Sequence, residues 1–134
     1  MRSRLHHVVF AVAPERQAAV VEMFTGLGFT FNATELTELG ISVQLDWDGG
    51  LEVISPLPGS SARVAELVGE FLDRHGDGVY TVVLRVPAAA SLARRYGSTT
   101  RFEQHFAGEG TYLDEIDLSV FGLPLTFLAT NAEP

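Results

Sequence analysis

Apolar and polar positions alternate along two runs of this chain, Leu5-His6-His7-Val8-Val9-Phe10-Ala11-Val12 and Val79-Tyr80-Thr81-Val82-Val83-Leu84-Arg85-Val86. Alternation of this kind predicts strands with one buried face. In the first run Val8, Phe10 and Val12 share a face, and Leu5, His7, Val9 and Ala11 share the other. The runs lie 81 − 7 = 74 positions apart, and each leads into a helical stretch and then hairpin-rich sequence. The chain reads as an internal repeat, two halves of one design.

Pro14 opens the first predicted helix, with Val20, Met23, Phe24 and Leu27 as its buried stripe and Gly28 as its C-terminal cap. Residues 29–38 read as a second strand and 41–47 as a third, and Asp48-Gly49-Gly50 turns the chain into a fourth at 51–54. Ser60 or Ser61 then caps a helix carrying Val64, Leu67, Val68, Phe71 and Leu72 on one side. The run from Arg74 to Gly78 stops it. The fifth strand covers 79–86, and Pro87 opens a short helix with Leu92 and Tyr96 one turn apart and Gly97 as its stop. Strands follow at 99–106, 111–120 and 123–129, with Gly108 and Gly110 in one turn, Gly122 in the next, and a frayed end over 131–134. The predicted class is α+β. Two βαβββ modules, at 5–57 and 78–130, are joined by a helix at 60–76 within a single domain over 1–134.

Composition narrows the function classes. A chain of 134 residues with 46% hydrophobic and 19% charged residues suits one well-packed domain of two repeats. A formal net charge of −8 argues against nucleic acid, whose phosphates need clustered Lys and Arg. The absence of cysteine removes disulfides, thiolate catalysis and Cys-zinc sites, and is compatible with the cytoplasm, the expected location. No apolar run approaches the ~20 residues that span a bilayer, so no membrane is expected as a partner. The first run carries two histidines and leads straight into a helix signal, unlike a signal peptide. No nucleophile elbow, P-loop or dinucleotide fingerprint is present.

The chain resembles the vicinal oxygen chelate superfamily, which includes glyoxalase I, methylmalonyl-CoA epimerase, extradiol dioxygenases, 4-hydroxyphenylpyruvate dioxygenase and the bleomycin and fosfomycin resistance proteins. The likeness is carried by Leu5 to Val12, by Leu51-Glu52-Val53-Ile54-Ser55-Pro56-Leu57, and by Phe71-Leu72-Asp73-Arg74-His75-Gly76-Asp77-Gly78-Val79 leading into Leu84-Arg85-Val86. It implies the glyoxalase/bleomycin resistance fold, in which two βαβββ modules form paired cup-shaped mixed sheets, and a homodimer as the commonest assembly. Metal-binding members take one ligand from each of the first, fourth, fifth and eighth strands. Carried over, these positions fall on His7, Glu52, Thr81 and Phe127. His7 and Glu52 suit a divalent metal, whereas a Thr hydroxyl is a poor ligand and a phenyl ring is none. The resemblance thus implies a partial metal site at His7 and Glu52, with no cofactor as the leading expectation and a divalent metal as the alternative.

Taken with this resemblance, the residues point to a small-molecule pocket. Glu52 is the candidate proton-transfer group or polar anchor and His7 its partner, since a carboxylate beside an imidazole can shuttle a proton without metal. Glu38 lies close to the position near the turn between the second and third strands where the resemblance to the epimerases implies an acid/base glutamate, although its first reading is a solvent-facing strand end. Phe127 and Trp47 are candidate apolar walls. Thr81 lines the pocket, and Arg85 on its face either meets an anionic ligand or pairs with Glu115 or Asp117. Tyr80 faces the helices and reads as core. The leading function is a small-molecule-binding protein of glyoxalase/bleomycin-resistance type with a degenerate metal site and metal-independent acid/base chemistry. The alternatives are a metal-dependent lyase, isomerase or dioxygenase that recruits Glu115, Asp117 or His105, and a drug-sequestering protein without turnover.

Overall fold

The computed structural model describes residues 2–96, 98–106 and 111–131, with the side chains of all but 93, 98–106, 111–114 and 118–120. The elements are β1 (Arg4–Ala11), a short 3-10 turn (Pro14–Arg16), α1 (Gln17–Gly26), β2 (Asn32–Leu36), β3 (Ile41–Asp46), β4 (Leu51–Pro56), α2 (Arg63–His75), β5 (Gly78–Arg85), α3 (Ala89–Ala93), β6 (Ser98–Phe106), β7 (Thr111–Val120) and β8 (Leu123–Thr130). The order is βαβββ, helix, βαβββ, and the class is α+β as expected. β2 is shorter than its predicted span: Phe29 and Phe31, before it, pack on Phe24 of α1, and the turn in which Leu39 N and Gly40 N donate to Leu36 O ends it. The glycines expected at 97, 108 and 110 and the end of the frayed segment lie outside the described residues. No helix among the described residues is long and apolar enough to cross a membrane.

The chain forms two compact units, residues 7–80 and residues 1–6 with 81–134. In the first the strand order is β2-β3-β4-β1, with β4 parallel to β1 and antiparallel to β3. In the second it is β5-β8-β7-β6, with β8 parallel to β5 and antiparallel to β7. A parallel pair needs a long crossover, which the intervening helix and hairpin supply in each module.

α1 corrects one expectation. Its half-buried positions are Gln17, Val20, Val21 and Phe24, while Met23 is 51% and Leu27 68% exposed. The helix is apolar on nearly every side, so spacing alone did not choose its inner face. Two anchors choose it. Gln17 Nε2 donates to Ser42 O and Ser42 Oγ to Gln17 Oε1, both at 3.1 Å. Phe24 meets Phe10, Phe29 and Phe31 at ring separations of 5.6, 5.9 and 6.3 Å.

α2 buries Ala65 and Val68 and half-buries Val64, Leu67, Phe71 and Leu72, as its spacing predicts. Its N-cap is Ala62, not a serine; Ser60 Oγ acts just outside, accepting from Ala62 N at 3.2 Å. The helix starts against the β2–β3 turn, where Ala65 N donates to Leu39 O at 3.1 Å. Gly40 is required there: its φ is +72°, and a Cβ would approach Ala65 Cβ to 2.8 Å. Tyr80 packs edge-on against Phe71 at 5.3 Å, on the helix side as expected. Asp77, in the turn before β5, ties that turn to the 3-10 segment. It accepts from Ala13 N at 3.0 Å and from Arg16 Nη2 at 2.9 Å. The Arg16 guanidinium holds the Asp77 carboxyl below the usual aspartate range.

Candidate functional site

The first module brings His7 and Glu52 together. β1 runs parallel to β4 with Val9 opposite Glu52, so Glu52 shares the face of Val9. His7, two residues earlier, shares it by strand alternation. Phe10 points the other way and meets Phe24 of α1, so the His7 face is turned away from that helix. His7 Nε2 stands 3.4 Å from Glu52 Oε1, with the histidine side chain 2% and the glutamate 20% exposed. That is ion-pair range, longer than the ~2.7–2.9 Å of a tight charge-assisted bond. Contacts of this kind shorten when a ligand excludes water. The Trp47 ring lies 6.3 Å from that of His7, tilted by 39°, and Leu45 stands opposite Glu52 on β3. A buried imidazole thus backs a carboxylate that stays partly open, with apolar neighbours beside both. Glu38 is exposed in the turn before β3, where Leu39 N and Gly40 N donate to Leu36 O at 3.0 and 2.8 Å.

The second module has a different polar centre. Val83 lies opposite Thr126 and Arg85 opposite Leu128, so Thr81, Val83 and Arg85 share their face with Thr126 and Leu128. Asp117 and Glu115 join that face, opposite Thr126 and Leu128 on β7. Thr81 Oγ1 is 3.0 Å from Thr126 Oγ1, and Thr126 Oγ1 donates to Asp117 Oδ1 at 2.6 Å. Thr81 and Thr126 are buried and Asp117 is half-buried. Arg85 is buried too, its Nη2 donating to Thr130 O at 2.9 Å.

Phe127 does not share the face of Thr81. It stands opposite Leu84 and Ile116, inside a cluster of Val86, Ala89, Ile116 and Ala129 on the α3 side. Tyr96 meets it edge-on at 6.5 Å. The β8 position matching the fourth-strand position of the first module is therefore Thr126, one residue earlier. The repeat held the signal for this: 81 − 7 and 126 − 52 are both 74.

The donor set bears on metal. Among the described residues no three His, Cys, Asp or Glu side chains gather into a metal-binding group. His7 and Glu52 supply two donors, and the matching residues of the second module, Thr81 and Thr126, bond to each other. This set falls short of the usual three protein ligands of a catalytic site.

This chain has the fold of the vicinal oxygen chelate superfamily. Similar solved structures include a variant of Streptomyces coelicolor methylmalonyl-CoA epimerase in complex with 2-nitronate-propionyl-CoA, 20% identical with a TM-score of 0.68 over 96% of this chain and 98% of that one. A hypothetical protein from Bacillus halodurans C-125 is 14% identical, with a TM-score of 0.66 over 100% of this chain and 99% of that one. A mutant of 4-hydroxymandelate synthase from Streptomyces coelicolor is 17% identical, with a TM-score of 0.66 over 99% of this chain and 49% of that one. At such identities the likeness is one of fold. No family model matches the sequence, and no curated protein does.

Proposed function

We propose that this protein binds a small molecule in the manner of the glyoxalase/bleomycin-resistance group and that Glu52 exchanges a proton with it, backed by His7. The observation that carries this reading is the His7 Nε2–Glu52 Oε1 approach of 3.4 Å, with the imidazole sealed from solvent and the carboxylate 20% exposed. In this reading the ligand meets Glu52 first. The carboxylate takes a proton from a weakly acidic C–H or O–H group, and His7 stabilises either charge state from behind. Trp47 supplies an apolar wall that keeps water from the pair. A homodimer belongs to the same proposal, and light scattering of the purified chain tests it.

The deciding experiment is a thermal-shift screen of small molecules with and without Zn²⁺, Ni²⁺, Co²⁺ and Mn²⁺, on the unaltered chain, His7→Ala and Glu52→Gln. The expected outcome is a ligand whose stabilisation needs Glu52 but no added metal. Retention of about one divalent ion per chain, with activity lost on chelation, would replace this reading with a metal-dependent lyase, isomerase or dioxygenase. Stabilisation by a ligand that is never turned over would make the protein a sequestering one.

A further inference from the structure

The second module carries a polar centre that the His7–Glu52 reading leaves unused, and its hydrogen-bond directions follow from counting protons. A threonine hydroxyl has one proton to give and two lone pairs to receive with. Thr126 gives its proton to Asp117 Oδ1 at 2.6 Å. It therefore acts as acceptor in the 3.0 Å contact with Thr81, whose own proton is committed to Thr126. The chain runs in one direction, from Thr81 to Thr126 to the carboxylate. What remains on Thr81 Oγ1 is acceptor capacity alone.

Two further facts make this more than a structural tie. Thr126 is 1% and Thr81 7% exposed, so the carboxylate polarises the two desolvated hydroxyls and strengthens Thr81 Oγ1 as an acceptor. Thr81 also stands on the face opposite the apolar α3 cluster, at the repeat position matching His7. We infer that Thr81, Thr126 and Asp117 form a subsite for a hydrogen-bond donor, a ligand N–H or O–H group that donates to Thr81 Oγ1. A bare carboxylate or carbonyl would meet only lone pairs there. The inference stands on the second module alone and does not depend on the role of Glu52.

Three small probes test it on the whole chain, with the Thr81 and Thr126 methyl signals followed by NMR. Methylammonium carries N–H donors, tetramethylammonium carries the same charge without them, and acetate carries acceptors only. The expected result is a saturable shift at both threonines with methylammonium, at least tenfold weaker with tetramethylammonium and none with acetate. Read at the Thr126 methyl, Thr81→Ser keeps the response and Thr81→Val loses it. Equal response to tetramethylammonium would reduce the centre to unspecific charge attraction. A response to acetate would reverse the chain's direction, and no saturable shift with any probe would overturn the subsite; these comparisons need only the unaltered chain.

Discussion

Thr126 occupies in the second module the place that Glu52 occupies in the first. Glu52 lies opposite Val9 and Thr126 opposite Val83, and 83 − 9 and 126 − 52 both equal 74. The backbone repeats in step: Val12 N donates to Ile54 O and Val86 N to Leu128 O, each at 2.9 Å. The chemistry does not repeat. Beside Glu52 the next strand offers Leu45, whereas beside Thr126 it offers Asp117. The carboxylate has moved one strand over, and a histidine–carboxylate contact in one module has become a hydroxyl chain in the other.

Glu52→Gln keeps the side chain's size and removes its capacity to carry a proton. Turnover of a substrate found in the screen should fall by about 10²–10⁴-fold. Unfolding in urea should change by less than ~1 kcal/mol, since the pair is partly exposed. Unchanged turnover would leave Glu52 a binding residue only.

Thr126→Val removes the bond from Thr126 to Asp117 Oδ1 and takes the acceptor from the buried Thr81 hydroxyl, at an expected cost of about 1–3 kcal/mol. Adding Thr81→Val removes the hydroxyl that lost its acceptor, so the double variant should be more stable than the two single losses summed. Urea denaturation of all four proteins should show a coupling of about 0.5 kcal/mol or more.

Acid stability should depend on Asp77. Its carboxyl titrates below the usual range because Arg16 and Ala13 N favour the charged form. The contribution is therefore fully present above the unfolded aspartate value, ~3.9, and fades as pH falls through the lower folded one. Asp77→Ala should flatten this acid limb in urea titrations between about pH 2 and 5, with a small effect at high salt because the pair is exposed.

Phe121 should be replaceable with a gain. It links Val120 to Leu123 with φ +54°, followed by Gly122 at φ +80°, and its side chain is 95% exposed. A two-residue turn with both φ positive favours Asn-Gly. Phe121→Asn should raise stability by about 1 kcal/mol, read as a higher melting temperature.

The face of α1 can be tested directly. Phe24→Ala should destabilise by about 2 kcal/mol or more, because it empties the space among three other rings. Met23→Ala, on the outer face, should stay within about 0.5 kcal/mol. Equal losses would mean that the helix is rotated toward the stripe its spacing first suggested.

Where period and composition agreed, the elements were legible. β1 and β5 show unambiguous alternation and β7 is bounded by turn residues, so their spans were read to within a residue; α2 shows a one-sided stripe and its end was read as closely, but it starts three residues later than the predicted 60. The inner face of α1 was not legible, because an almost uniformly apolar helix has no preferred side until Gln17 finds Ser42. At the candidate site, His7 and Glu52 were visible as residue types on strands of known facing. Phe127 was misplaced because a strand's side chains alternate, and one residue of error in alignment moves a position to the opposite face.

The sequence by itself determined the repeat, the α+β class and the half-populated set of polar positions, since those depend only on period, spacing and residue type. The tertiary structure decided what those positions do. The parallel pairing of β1 with β4 brought His7 against Glu52. Pairing of β8 with β7 set Thr126 beside Asp117, and its pairing with β5 brought in Thr81, 45 positions before Thr126. Local pattern carries no information about such pairings, because hydrogen bonds between strands set the register and register alone settles which side chains meet.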